Sequence, residues 1–159
     1  FFNKGKFMAT TINATNLSDY VGKTVGTSSW FTITQAQINM FGDATHDHQF
    51  IHVDPIKAKD TPFGGTIAHG FLSLSLLSAI AYEAGLQLEN MTMGLNYGLN
   101  KVRFPNAVPV NSQLRMHTTV VAIADLPNKG VKVTFACTIE IKGQEKPACV
   151  AEFLAAFFE

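Results

Sequence analysis

His69-Gly70-Phe71-Leu72-Ser73-Leu74-Ser75-Leu76-Leu77-Ser78-Ala79-Ile80-Ala81-Tyr82-Glu83-Ala84-Gly85 is the stretch that decides the fold. From Phe71 to Tyr82 every residue is apolar or serine, so apolar side chains fall on every side of a helix rather than along one stripe. A helix that is apolar all round is a buried helix. It begins near His69 and stops at Gly85, a residue type that commonly ends helices. The run is too short, and too often broken by serine, to cross a bilayer.

Downstream of this helix the pattern changes to period 2. Val131, Val133, Phe135, Cys137, Ile139 and Ile141 alternate with Lys132, Thr134, Ala136, Thr138, Glu140 and Lys142, which predicts a strand with one wet face. Gly94 to Arg103, Leu114 to Ile123 and Ala148 to Phe158 read as further strands, and Pro127-Asn128-Lys129-Gly130 and Lys142-Gly143-Gln144 as turns. Upstream, Val25 to Ile33 suits a strand, and Asn13 to Tyr20 is polar with helix-start residues such as Ser18 and Asp19. Thr34, with Gln37 three residues on, predicts a capped short helix ending near Gly42. The simplest packing is α+β: a curved antiparallel sheet wrapped around one long buried central helix.

Hydrophobic residues make up 47% of the 159, enough for one sizeable core, so a single domain is expected over 8–159. Met8 reads as a natural start and residues 1–7 as vector-derived. Charged residues are only 15% and the formal net charge is zero, which argues against a nucleic-acid binder and gives little pull toward anionic lipid. The N-terminal stretch lacks the features of a signal peptide, and two cysteines are too few for a disulfide framework. A cytoplasmic protein with free thiols is the expectation.

Residues 43–69 are different in kind. They hold four of the five histidines, His46, His48, His52 and His69, together with Asp43, Asp47, Asp54 and Asp60 and the turn formers Pro62, Gly64 and Gly65. Such a stretch is a site rather than core. Within it, Asp54-Pro55 predicts the cap and first turn of a short helix to about Lys59.

Phe41-Gly42-Asp43-Ala44-Thr45-His46-Asp47-His48-Gln49-Phe50-Ile51-His52-Val53-Asp54-Pro55 resembles the signature of the MaoC-like (R)-specific enoyl-CoA hydratase and dehydratase family, in which Asp, a variable residue, Asn, Pro, an aliphatic residue and His precede Asp-Pro after one more position. Gln49 stands where the family often has Asn and Phe50 where it often has Pro, departures similar to the branch that includes nodulation protein N. Asp43 and His48 have the same five-residue spacing as Asp47 and His52, but only the latter pair brings Ile51 and Val53-Asp54-Pro55 into register. Gly65 to Leu74 resembles the start of the family's central helix, and Arg103-Phe104-Pro105 with Pro109-Val110 its next strand and turn, so the likeness runs from about Gly22 to Phe158.

The resemblance implies a hot-dog fold, with Asp47 and His52 as the catalytic pair and Gly70, Gln49 and His69 as substrate-binding residues. It implies no metal and no cofactor, since coenzyme A arrives as part of the substrate. The chemistry agrees: adding water to an enoyl thioester needs a base for the water and an acid for the α carbon, and histidine titrates where it serves as both. A neighbouring carboxylate would orient the imidazole and hold the water, and Gly70 at a helix N-terminus would offer its N–H to the thioester carbonyl.

Plainer roles compete. Asp47 alone reads as a cap or turn residue, His52 as a structural hydrogen-bonding histidine, and the His-x-His cluster as a metal site. Val102 and Phe104 would line an acyl tunnel or simply pack. The leading expectation is reversible hydration of a trans-2-enoyl-CoA to an (R)-3-hydroxyacyl-CoA. Alternatives are dehydration of a 3-hydroxyacyl chain on acyl carrier protein, a hot-dog thioesterase and a non-catalytic acyl-binding module. The thioesterase is disfavoured because the central helix carries no acid before Glu83. The partners expected are an acyl-CoA or acyl-carrier-protein thioester and a second copy, giving a homodimer or larger homo-oligomer through an open sheet edge.

Overall fold

A computed structural model describes residues 10–159, so the reading of residues 1–7 and of Met8 lies outside the described residues. The elements run β1 (Thr10–Asn13), a 3-10 helix (Ala14–Tyr20), β2 (Thr24–Thr27), β3 (Phe31–Thr32), α1 (Gln35–Thr45), α2 (Phe50–Val53), α3 (Pro55–Ala58), α4 (Gly70–Ala84), β4 (Leu86–Glu89), β5 (Met93–Arg103), β6 (Gln113–Leu126), β7 (Gly130–Ile141) and β8 (Cys149–Phe158). Among these, no helix is long and apolar enough to cross a membrane.

The main sheet is antiparallel, in the order β2-β6-β7-β8-β5, with β3 also paired to β6. The β6–β7 hairpin turns through Asn128 and Lys129, both at positive φ (57° and 56°), the backbone that matches the twist of the strands it joins. Alternation sets the faces. Val133, Ile139 and Ile141 of β7, Leu114, Met116 and Val120 of β6 and Ala151, Phe153 and Ala155 of β8 point into the core, where they meet Leu72, Leu77 and Ile80 of α4.

The curved sheet and central helix of the hot-dog fold are present, but burial of α4 is one-sided in the single chain. Phe71 and Tyr82 are 66% and 76% exposed. Among the described residues β5 is an edge strand paired only to β8, and Met93, Leu95, Tyr97 and Leu99 along it are exposed as well. The apolar residues that made the helix read as wholly buried therefore divide between the core and an open face beside the free sheet edge.

Several boundaries depart from the periodic pattern for local reasons. The strand expected over Val25–Ile33 breaks at Ser28–Trp30, where Ser28 turns inward, accepts from the Met116 N–H and donates to the Ser29 carbonyl. The polar segment before it is a 3-10 helix capped by Asn13, one turn earlier than Ser18 and Asp19 suggested. β1 and β4 form a small parallel pair that four-residue lengths hid from any periodic reading. Gly85 ends α4 without a positive φ. It is glycine because a Cβ there would collide with the Ala81 carbonyl oxygen.

Candidate functional site

The site is built where α1, α2 and the start of α4 meet. α1 opens with the expected capping box, Thr34 and Gln37 each bonding the other's backbone N–H. It does not end at Gly42. It runs to Thr45 and closes on His46 in the left-handed conformation (φ 59°), while Gly42 sits inside the helix, where an added Cβ would meet the Asp47 carbonyl oxygen at 3.0 Å. Glycine is used there for close approach, not for termination. The Asp47 N–H returns to the Gly42 carbonyl at 3.1 Å, so the chain folds back tightly and leaves the Asp47 carboxylate 54% exposed at the head of the α1–α2 loop.

α2 is one turn, Phe50–Val53, too short to be visible as a period, and it delivers His52 with 7% exposure. The His52 carbonyl accepts from the Gln35 side chain at 2.7 Å, and Gln35 in turn accepts from the Thr66 hydroxyl. His52 Nδ1 lies 2.7 Å from the Ile67 carbonyl oxygen. A carbonyl only accepts, so Nδ1 carries the proton and Nε2 of the neutral ring is left as an acceptor. Ile67 thus sets the imidazole's tautomer, while the half-exposed Asp47 carboxylate faces the same cavity with only a long bond from the Gln49 N–H. Burial pushes the His52 imidazole below its ordinary 6.5. The Ile67 carbonyl opposes that, nearby His69 adds to it, and Asp47 opposes it. The ring is therefore neutral at physiological pH, the form a base needs.

His69, 3% exposed, is the N-cap of α4 but makes no side-chain capping bond. Its Nε2–H donates to the Asp47 carbonyl at 2.9 Å, and its ring stacks on His52 with centroids 3.8 Å apart and planes at 27°. The first-turn N–H groups of a helix have no acceptor within it, and here no side chain of the N-cap covers them. The Gly70 N–H is one of these. A Cβ on Gly70 would press on the Phe104 ring at 3.1 Å, and Phe104 packs on Phe71 with centroids 5.7 Å apart, so Phe104 lies against the start of α4.

Asp47, His52, His69 and Gly70 share a cavity of about 410 Å³ with Phe41, Thr45, Phe71 and Ser75. The structure thus gathers four of the five expected residues. Gln49 is exposed, serves as the N-cap of α2 and offers its backbone N–H to Asp47 Oδ1 at 3.4 Å, but its side chain is not among those lining the cavity. Phe41, Thr45, Phe71 and Ser75 went unread because each fits its helix's own pattern. The rival pair, Asp43 and His48, forms a 2.8 Å hydrogen bond on the surface with side chains 75% and 51% exposed. Asp54 caps α3 through the Ile56 and Lys57 N–H groups, as its place before Pro55 predicts.

Asp47, His52 and His69 each offer a metal-ligand atom within 4.8 Å of the others. Of the four ring nitrogens, His52 Nδ1 is committed to the Ile67 carbonyl and His69 Nε2 to the Asp47 carbonyl, which leaves one nitrogen on each ring.

A second, largely apolar cavity of about 300 Å³ lies between α4 and the sheet, lined among others by Ser78, Tyr82, Leu95, Phe135 and Phe153. Phe71 and Ser75 at the first cavity and Ser78 and Tyr82 at the second are spaced to share one face of α4.

Comparison with known proteins gives a consistent result. The family model described as a MaoC like domain matches residues 16–140. The chain is 46% identical over 150 residues to 3-hydroxyacyl-thioester dehydratase Z of Mycobacterium tuberculosis, covering 94% of this chain and 99% of the relative. It is 46% identical over 147 residues to nodulation protein N of Rhizobium meliloti, covering 91% and 90%. Among solved structures, a monoamine oxidase regulatory protein from Archaeoglobus superposes with a TM-score of 0.76 at 24% identity over 95% of this chain and 97% of that one.

Proposed function

The chain belongs to the MaoC-like dehydratase family and is a hydro-lyase, and from this premise we propose that it catalyses the reversible, (R)-specific hydration of trans-2-enoyl-CoA, with Asp47 and His52 as the catalytic pair. The observation that carries the reading is the tautomer of His52. With Nδ1–H committed to the Ile67 carbonyl, the neutral ring presents Nε2 as an acceptor in a cavity that also holds a free carboxylate and an uncovered helix N-terminus.

The steps follow from these groups. Asp47 and His52 Nε2 hold the water. As its oxygen bonds to C3 of the enoyl chain, Nε2 takes a proton and the C2–C3 double-bond electrons move toward the thioester carbonyl. The developing oxyanion is met by the Gly70 N–H, aided by the helix dipole. The imidazolium then returns a proton to C2, completing the 3-hydroxyacyl thioester, and the reverse sequence is dehydration. No metal or cofactor takes part in this route. The name of the dehydratase Z relative, a 3-hydroxyacyl-thioester dehydratase, supports the substrate class. The apolar cavity along the same face of α4 is of a kind that takes an acyl tail.

A homodimer belongs to this proposal. The free edge of β5 and the exposed Tyr82, Met93, Leu95, Tyr97 and Leu99 form a surface suited to a second copy. Buried, unpaired Cys137 and Cys149 are in keeping with a cytoplasmic setting.

The test is to follow enoyl-thioester absorbance with crotonyl-CoA and a longer trans-2-enoyl-CoA, with chiral analysis of the product and a thiol reagent in parallel. Loss of absorbance giving the (R)-3-hydroxy product supports the reading. Activity only on carrier-protein thioesters moves it to the carrier-protein dehydratase, and release of free thiol replaces it with a thioesterase.

A further inference from the structure

His69 is an unusual helix cap. Serine, threonine, aspartate and asparagine are preferred at that position because their side chains reach back to the first-turn N–H groups. The His69 side chain makes no such bond. It turns instead toward the α1–α2 loop, where its Nε2–H donates to the Asp47 carbonyl at 2.9 Å and stands 3.9 Å from Asp47 Oδ2. The same ring covers one face of the His52 imidazole at 3.8 Å. Phe41 lies against the His69 ring, tilted by 50° and 5.1 Å away between centroids, and His69 Cε1 lies 3.6 Å from where a Gly42 Cβ would stand.

The arrangement carries a cost. His69 Nδ1 is buried without a hydrogen-bond partner, and a buried acceptor left so is destabilising. A phenyl ring, one ring atom larger, would avoid it, so what imidazole adds is the Nε2–H and the polar stack. With 3% exposure, the ring offers a substrate little surface.

We propose that His69 is a positioning residue: its Nε2–H tethers the Asp47 main chain and its ring braces His52, so that one side chain at the head of α4 holds the carboxylate, the imidazole and the Gly70 N–H in a single arrangement. This deepens the proposed hydratase reading and rests on it for its kinetic part. Among the described residues, the titratable groups that face His52 are Asp47 from the loop and His69 from α4, while α1 presents Phe41 and Gln35. Loss of the His69 imidazole therefore removes one of the influences that hold the His52 proton affinity down.

Two variants separate the tether from the brace. His69→Phe keeps a ring for stacking and loses the donor. It is expected to lower kcat about tenfold or more, in line with the ~10²-fold cost of ångström-scale misplacement, with KM nearly unchanged and the His52 titration midpoint raised by loss of the neighbouring imidazole. His69→Gln retains an N–H near the Nε2 position and loses the stack. It is expected to keep more kcat than His69→Phe, and to raise the His52 titration midpoint and the acid limb of kcat/KM. Histidine ¹⁵N spectra of the unaltered protein give a measure independent of activity and of variant folding. They are expected to show His69 protonated at Nε2 and His52 at Nδ1. The proposal is overturned if His69 carries its proton on Nδ1, if both variants keep wild-type kcat and His52 titration, or if His69→Phe raises KM while kcat stands. A wild-type protein inactive on every thioester, but with these tautomers and a shifted His52 midpoint in His69→Gln, sinks the hydratase reading and leaves the positioning role intact.

Discussion

Gly42→Ala is the substitution whose two effects point in opposite directions. Gly42 lies inside α1, so alanine raises helix propensity by about 0.8–1 kcal/mol. The new methyl carbon would stand 3.0 Å from the Asp47 carbonyl oxygen and 3.4 Å from Val53 Cγ1. Comfortable carbon–oxygen contacts begin near 3.3 Å, so the oxygen must retreat by roughly 0.3–0.5 Å. It is a backbone atom, and retreat means moving the loop that carries the Asp47 carboxylate and stretching its hydrogen bond to His69. A weakened hydrogen bond costs about 0.5–1.5 kcal/mol, so the net change in stability is close to zero. The rate is not so protected. With ~10²-fold lost per ångström of misplacement, the shift predicts a roughly four- to tenfold fall in kcat. Crotonyl-CoA hydration and a urea midpoint, measured on the same preparation, check both halves. Gly65→Ala is the control, since nothing lies within 4 Å of its added Cβ and its φ is not positive. A Gly42→Ala protein with wild-type kcat would refute the claim that the Asp47 main chain is held against this glycine.

Stability should fall as pH drops from neutral through 6.5. His52 has a lowered proton affinity in the fold, so the unfolded chain binds its proton first. Urea midpoints between about pH 7.5 and 5.5 should show this slope, and His52→Gln should lessen it. Cys137 and Cys149 are pushed up to about 12 and about 11 by burial, so neither should react with a thiol reagent at neutral pH until urea unfolds the chain. Ile38 is fully buried on α1, and Ile38→Ala should cost about 2–5 kcal/mol by the same urea titration.

What could be read in the sequence was whatever repeats. The β7 alternation, the Thr34–Gln37 capping box and the apolar run of α4 each involve enough residues for the pattern to exceed chance, and each appears where its period placed it. What escaped depends on single contacts. Gly42 looked like a helix stop because the carbonyl it makes room for comes from the fold-back of Asp47. β1 and β4 are four residues each and pair only with each other. At the site, Asp47 and His52 were legible through their spacing to Asp54-Pro55. The part played by Ile67 was not, because a backbone carbonyl has no residue signature. Gln49 occupies its motif position, but its exposed side chain neither caps α2 nor lines the cavity.

The central claim is that Asp47 and His52, and not the equally spaced Asp43 and His48, carry the chemistry. Its most direct test is enoyl-thioester hydration by four folded variants. Asp47→Asn and His52→Ala should each lose about 10²–10⁴-fold in kcat, while Asp43→Asn and His48→Ala, altered in an exposed hydrogen-bonded pair, should match wild type. Full activity in either of the first two, or collapse in either of the last two, would contradict the account.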